Sequence, residues 1–316
     1  MPEIPDVTVY CETILARVQG CALKRLRLAS PFVLRTYAPP ASALAGKKVK
    51  DVFRLGKRIV LAFEGELYAV IHLMVAGRFR WGPPAAKLAG KLGLAAFDFE
   101  NGTLVLTEAG TKKRASIHIE GSLADVRALS AGGVELDACD DASFLAALTR
   151  ENHTLKRALT DPRILSGIGN AYSDEILWDA QLSPVKLTSR LTPDEARRLF
   201  TSARATLARF TVLLRAAAAA SPGGFPEKVT AFRPEMAVHG RFGQPCPRCG
   251  AKVQRIVHAS NETNYCAPCQ TAGKLLADRA LSRLLGEDWP KSLEELEERR
   301  AGNVPAPAPK RARPAR

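Results

Sequence analysis

Four of the chain's seven cysteines fall between residues 246 and 269, as Cys246-Pro-Arg-Cys249 and Cys266-Ala-Pro-Cys269. Two such knuckles, sixteen residues apart, can bind one ion when a hairpin brings them together; the alternative is a redox pair or unmetallated cysteines. Four soft thiolates in a tetrahedron suit a single Zn²⁺. They also leave no coordination position open for water, so this metal is expected to hold a fold and not to perform chemistry. Cys11, Cys21 and Cys139 are scattered and the total is odd, which is thiol usage in a reducing compartment and not a disulfide framework. The hairpin carries Arg241, Arg248, Lys252, Arg255 and Asn261. That basic tip either lies on phosphates or is a solvated charged surface.

Charge bears on the same question. Lys and Arg number 46 against 32 Asp and Glu, a formal net charge of +14 with a sequence pI near 9.7, which points to a polyanionic partner such as nucleic acid. Six of those cations lie from Arg299 onward without an acid, yet the remainder is basic as well. With 46% hydrophobic and 25% charged residues over 316 positions, the chain can bury a core, and disorder is excluded for most of it. The length suggests two domains. No run of about 18 apolar residues occurs, and the opening MPEIPDVTVY lacks a secretory profile. A cytoplasmic, nucleoid-associated protein with no membrane partner is expected.

Residues 1–130 read as an N-terminal β-sandwich behind an opening helix over Val7–Val18. The expected strands are Ala22–Leu28, Lys48–Leu55, Arg58–Phe63, Leu67–Met74, Arg78–Trp81, Ala96–Phe99, Leu104–Thr107 and Ser116–Glu120. Asn101-Gly102 between two of these runs is a hairpin signal. Residues 131–139 begin with Ala-Gly-Gly and read as a hinge. A helical domain follows over 140–235. Its helices are expected from Asp140 to Arg150, Thr154 to Leu159, Ala171 to Gln181, and from the Thr192-Pro193-Asp194-Glu195 start toward Ala219. Residues 236–285 form the zinc hairpin and its flank. Residues 286–316 are a charged, disordered basic tail, within which Lys291–Arg300 has the charge pattern of a helix.

The amino terminus has chemistry of its own. Pro2 is small enough to permit removal of Met1, which would expose a secondary amine. An α-amine ionises near 7.7 to 8.0, far below lysine, so a nucleophilic fraction exists at neutral pH. Attack on a sugar C1′ would give an iminium that accepts electrons during elimination, with Glu3 as the adjacent acid/base. By itself, Pro-Glu is also an ordinary dipeptide.

Met1-Pro-Glu-Ile-Pro-Asp-Val7, Lys57 in Leu55-Gly-Lys-Arg58, Ser166-Gly-Ile-Gly-Asn-Ala-Tyr-Ser-Asp-Glu175 and the four cysteines occur in this order. Together they resemble the formamidopyrimidine-DNA glycosylase and endonuclease VIII family, from residue 1 to about 285. The resemblance implies an α+β, multidomain fold: a β-sandwich, a helix-two-turn-helix domain and a four-cysteine zinc finger, with double-stranded damaged DNA in the cleft and a base flipped out of the stack. It implies a monomeric glycosylase with lyase activity in base excision repair, in which Pro2 forms the Schiff base. Glu3 would move protons, and Lys57 would donate a proton during β-elimination. It further implies DNA contacts by His72, by Lys156, and by the Gly167-Ile-Gly169-Asn170-Ala-Tyr172 segment, whose glycines let backbone amides approach an anion.

Three positions depart from the family pattern. The finger-tip arginine is replaced by Asn261, which supplies neither the charge nor the fork of a guanidinium, so phosphate binding at the lesion and δ-elimination lose support. The duplex wedge, a Met, an Arg and a Phe in the purine-specific branch, would be Met74 or Val75, Lys113 or Arg114, and Ala115 in place of the aromatic. Asp6 stands where Glu is common in the lesion pocket. These losses leave, as the alternative, a catalytically weak protein of the same fold that binds damaged or abasic DNA.

Overall fold

The computed structural model describes residues 1–88, 90–226, 229, 232–258, 261–276 and 290–300. Helix α1 spans Ile4–Val18, three residues earlier than periodicity predicts. The early start is stabilised by Pro5 in the first turn and by the Asp6 carboxylate, which accepts the Glu3 backbone N–H at 3.0 Å. Eight strands follow: β1 (Arg25–Leu28), β2 (Val49–Leu55), β3 (Arg58–Phe63), β4 (Leu67–His72), β5 (Gly77–Gly82), β6 (Gly93–Asp98), β7 (Thr103–Glu108) and β8 (Ser116–Glu120). They form two antiparallel four-stranded sheets, ordered β1-β6-β7-β5 and β2-β3-β4-β8. The period-2 alternation places Ile59, Leu61 and Phe63 of β3 in one core with Ala95 and Phe97 of β6 and Leu104 and Leu106 of β7. The apolar face of α1, with Val7, Tyr10, Ile14 and Val18, joins that core.

Two expected strands are shorter than predicted. Ala22 makes only an isolated bridge to Lys48, and β4 stops at His72 because Met74 turns back with φ 53°. A short helix α2 (Leu123–Ala128) covers Val60 and Val70 on the outer side of the second sheet.

The helical half contains α3 (Asp141–Thr149), α4 (Leu155–Thr160), α5 (Asn170–Asp179) and the long α6 (Pro193–Ala220). Asp140, Thr154 and Thr192 each cap a following helix through the side chain, and Glu195 completes a reciprocal box with Thr192. Their core packs Phe144, Leu155, Tyr172, Leu199 and Phe210, and Ile4 of α1 inserts into it. The first residue of α1 thus belongs to the helical core, Val7, Tyr10, Ile14 and Val18 belong to the sandwich, and Val9 packs on Leu214 and Ala218 of α6.

The cysteine hairpin is built on β9 (Gln254–His258) and β10 (Asn261–Tyr265), followed by α7 (Ala267–Thr271). Residues 301–316 of the expected disordered tail lie outside the described residues, as do 286–289. Within that tail the helix expected over Lys291–Arg300 is present as Leu293–Arg300, where Glu295 binds Arg299 one turn on.

Glu175, on α5, is fully buried. Its carboxylate accepts the backbone N–H groups of Ala237, Val238 and His239 at 2.7, 2.9 and 2.9 Å, which docks the turn segment entering the zinc hairpin onto the helical core. Glu175→Ala would orphan three buried donors. We expect a loss of about 3 kcal/mol or more in urea unfolding of the zinc-loaded chain. A loss under about 1 kcal/mol would contradict this docking role.

Candidate active site and DNA interface

Pro2 and Glu3 are buried at the seam between the two halves. The Glu3 carboxylate accepts N–H groups from Gly169 at 2.5 Å, Ala171 at 2.9 Å and Tyr172 at 3.4 Å, all at the start of α5. The first amides of a helix have no intrahelical partner and carry the positive end of its dipole, so they suit an anion. The anion they hold here is the chain's own Glu3. The Ile4 N–H donates to the Gly167 carbonyl at 3.1 Å and completes the seam.

Gly169 is required by close approach. A Cβ there would lie 2.6 Å from the Glu3 carboxyl carbon and 2.8 Å from Lys57 Nζ. Lys57 therefore stands beside the same backbone segment as Glu3. Its position is fixed from below by Glu135. One Glu135 oxygen accepts Gly56 N–H at 2.9 Å and Ser166 Oγ–H at 2.6 Å, and the other pairs with Arg54 at 2.6 Å. Asp137 takes the second Arg54 nitrogen at 2.7 Å. The segment read as a hinge thus carries the two acids that secure the β2–β3 turn. Burial lowers the Lys57 ammonium pKa, and the charge of Glu3 opposes that shift. The Met1 amine is likewise lowered, first by burial, with Glu3 and Asp6 opposing and Arg78 and Lys57 assisting. The chain start, Glu3, Asp6 and Lys57 therefore share one electrostatic environment.

Asp6 faces inward as well. Burial raises its carboxyl pKa to about 6, although the Glu3 N–H and Arg233, at 3.4 Å, pull it down.

The residues expected to touch DNA divide into several groups. His72 is half-buried, and its Nδ1 accepts the Met74 N–H at 3.1 Å. Met74 is half-buried on the turn after β4, and Val75 beside it is 61% exposed. Lys113 and Arg114 are exposed, Lys113 donating to the Glu108 carbonyl. Ala115 is buried in the sandwich core, and its N–H and that of Arg114 are both held by the Glu108 carboxylate, at 3.1 and 2.8 Å. Its side chain is therefore packing and not a wedge.

Lys156 is ion-paired with Asp174 at 2.6 Å and donates to the Asn170 carbonyl at 2.7 Å. Asn170 donates its side-chain amide to the Glu262 carbonyl at 2.9 Å, which links α5 to β10. The Tyr172 ring is buried edge-on against Phe210 at 5.1 Å in the helical core, while its hydroxyl lies in the field of Asp6, Arg233 and Glu3, so side chain and backbone both border the site. Asn261 is exposed at the start of β10, on the hairpin tip.

Sequence reasoning placed Asp174 and Glu175 within a motif but gave them no role, and it passed over Glu135. Asp174 is fully buried, paired to Lys156 on one side and to His239 Nδ1 at 2.8 Å on the other. An acid pair in the middle of a short helix, with no exposed face to occupy, is the signal available in the sequence.

The four cysteine sulfurs lie within 4.8 Å of one another, with Cys246 to Cys269 at 4.0 Å and Cys249 to Cys266 at 3.4 Å. Tetrahedral Zn–S bonds of about 2.3 Å place sulfurs about 3.8 Å apart, so the donor set fits one structural Zn²⁺. Trp178 Nε1–H donates to Cys246 Sγ at 3.3 Å, and Arg248 lies 4.1 Å over the Trp178 ring, fastening the knuckle to α5.

Comparison with known proteins agrees with this architecture. Residues 1–115 match the formamidopyrimidine-DNA glycosylase N-terminal domain, 134–214 its H2TH domain, and 243–272 the zinc finger found in FPG and IleRS. The chain is 33% identical over 281 residues to the formamidopyrimidine-DNA glycosylase of Thermus thermophilus, covering 86% of this chain and all of that one. It is 32% identical over 276 residues to that of Laribacter hongkongensis, covering 85% of this chain and all of that one. Among solved structures, a complex of the Lactococcus lactis Fpg protein with THF-DNA and an inhibitor superposes with a TM-score of 0.75 at 25% identity, over 85% of this chain and all of that one. A fold of two sheets, an H2TH helical domain and a four-cysteine finger, with Pro2 and Glu3 buried at its seam, defines a DNA glycosylase. The chain belongs to the formamidopyrimidine-DNA glycosylase family.

The geometry of the metal site can be tested by removing one of its four ligands. In Cys266→Ser, bound zinc measured after dialysis should fall below one per chain, together with the thermal stability of the finger; unchanged metal content would rule out the site. A second prediction concerns His72, whose pKa is lowered to about 4, chiefly by burial, then by Arg58, Lys57 and His118. The unfolded imidazole takes its proton near pH 6.5, before the folded one does. Its stabilising contribution is therefore complete above pH 6.5 and is lost as the pH falls toward 4. His72→Gln should lose about 2 kcal/mol less stability over that interval than the unmodified chain. Parallel pH profiles of the urea midpoint would remove His72 from the account.

Proposed function

We propose that this chain removes oxidised bases from duplex DNA and cuts the strand at the resulting abasic site, with the mature Pro2 amine as nucleophile. The observation that carries this reading is the burial of Pro2 beside Glu3, whose carboxylate is locked on the α5 amides with Lys57 at the same Gly169 backbone.

Loss of Met1 exposes the Pro2 secondary amine. Its lone pair forms a bond to C1′ of the flipped nucleotide while the glycosidic bond breaks, and the base leaves with that electron pair and a proton. Glu3, held within the seam, moves protons at the sugar ring oxygen, so the ring opens to a positively charged iminium. That charge accepts electrons when a C2′ proton is removed, and the 3′ phosphate then departs by β-elimination. Lys57 supplies the positive charge and the proton beside that phosphate. Similar solved structures are complexes with DNA containing an abasic site, N7-benzyl-Fapy-dG or carbocyclic 8-oxo-G. Substrates of that kind fit a site built around a sugar C1′. Asp6 and Arg233 lie next to it and would face the base.

Borohydride added to the mature protein with abasic-site duplex should trap a covalent adduct of about one chain per site, and Pro2→Gly should reduce it at least roughly tenfold. No adduct from zinc-loaded protein shown to lack Met1 would overturn the amine chemistry and favour a protein that only binds damaged DNA.

A further inference from the structure

The finger tip of this chain lacks a cation at Asn261, yet the groove beneath that tip contains one. The groove, about 680 Å³, runs between the helical half and the zinc hairpin and is lined by His153, Lys156 and Arg157 on one side and by Ile256, Asn261 and Thr263 on the other. It adjoins the proposed catalytic seam through Lys156, which donates to the Asn170 carbonyl, and through Asn170, which donates to β10 beside Asn261.

The cations along this groove differ in what they already hold. Lys156 is neutralised at 2.6 Å by the buried Asp174. His153 Nε2 lies 2.8 Å from Glu151. On the hairpin, Arg255 contacts Glu262 at 3.3 Å and stacks on Phe242 at 4.3 Å, and Arg248 is taken by Trp178. Arg163, which follows α4, is paired with Asp161 at 2.7 Å. Arg157 is exposed, and among the described residues its guanidinium has no hydrogen bond, ion pair or ring contact. Among the described residues lining the groove it is the one cation whose charge is uncommitted, and it lies on the helix turn that presents Lys156 to the site.

We propose that Arg157 supplies the phosphate-binding guanidinium opposite Asn261, so that a DNA phosphate entering the groove is held from the helical side and not from the finger tip. An arginine fork can take two oxygens of one phosphate, which a lysine or an asparagine cannot match. Asn261 then contributes a neutral side-chain donor from the other wall. This placement rests on the DNA-repair reading of the chain, and it assigns to an α4 residue the task that the finger tip no longer performs.

The test is equilibrium binding of the full-length, zinc-loaded chain to a duplex containing a tetrahydrofuran abasic analogue, repeated across a sodium chloride series. Five proteins are compared: the unmodified chain, Arg157→Ala, Arg157→Lys, Asn261→Arg and the Arg157→Ala/Asn261→Arg double variant. Arg157→Ala should weaken binding about tenfold at physiological salt and reduce the salt slope by about one. Arg157→Lys should retain the slope while losing part of the affinity, a split that a merely structural role would not produce. Asn261→Arg should restore most of the lost affinity in the Arg157→Ala background and should add much less to the unmodified chain, because both guanidinium groups would compete for one phosphate.

An unchanged salt slope in Arg157→Ala, or equal gains from Asn261→Arg in both backgrounds, would overturn the proposal. Borohydride trapping on an authentic abasic duplex, run beside it, separates the two readings. Arg157-dependent binding without an adduct would refute the Pro2 chemistry alone, and an adduct with Arg157-independent binding would refute this assignment alone.

Discussion

The Glu3 carboxylate is the contact on which the rest of the site depends. It lies on the residue that caps α1 and accepts three amides from the start of α5, so one side chain joins the sandwich to the helical half. A carboxylate removed from water without such donors would cost several kcal/mol; the paired ends of two helices offset that cost. The arrangement leaves little choice for its surroundings. Position 169 must be glycine, because any Cβ would strike the carboxyl group. Lys57 must arrive on a tight turn, and that turn is fixed by Glu135 across the seam.

A second acid performs the same task for the zinc hairpin. Glu175 binds three amides of the 237–239 turn segment, and Asp174 binds Lys156, His239 and the Asn264 N–H. Adjacent positions on α5 therefore point in directions that hold different neighbours. The metal then closes the hairpin that Glu175 has docked, and Trp178, one turn along α5, touches Cys246 directly. One ten-residue helix receives the N-terminus at its first turn and the finger at its later turns. Displacement of α5 would disturb both.

Much of this was legible in the sequence because the signals were local. The knuckle spacing defines a metal site without any tertiary information. Capping residues at Asp140, Thr154 and Thr192 mark helix starts, and the apolar run Arg58–Phe63 and the alternating Ser116–Glu120 mark strands with bounds that agree with the structure. The unread features are those in which distant segments compete for the same group. The amides of the glycine loop at 167–169 suit an anion, but no spacing rule indicates that the anion comes from residue 3. Ala115 reads as a missing wedge in a linear motif; in the fold it is a core residue whose N–H is held by Glu108. Tyr172 reads as part of a DNA-contacting segment, although the helical period of α5 turns its ring into the bundle.

The polar groups near the seam also show how a strongly basic chain keeps a site ordered. Lys156, Asn170, His72 and Lys113 each spend a donor or an acceptor on another part of the protein. Such bonds hold side chains in one geometry, which lowers the entropy cost of meeting a ligand, but an ion pair such as Lys156 with Asp174 also cancels the field it would project. Position and charge are therefore supplied by different residues. The paired groups fix side-chain positions, and an exposed, uncommitted cation such as Arg157 provides attraction that reaches into solvent and weakens with salt. Lys57 combines the two, because burial fixes it beside Glu3 while no acid neutralises it by direct contact among the described residues. A cation so placed weighs most on charge that develops within a few ångströms of it.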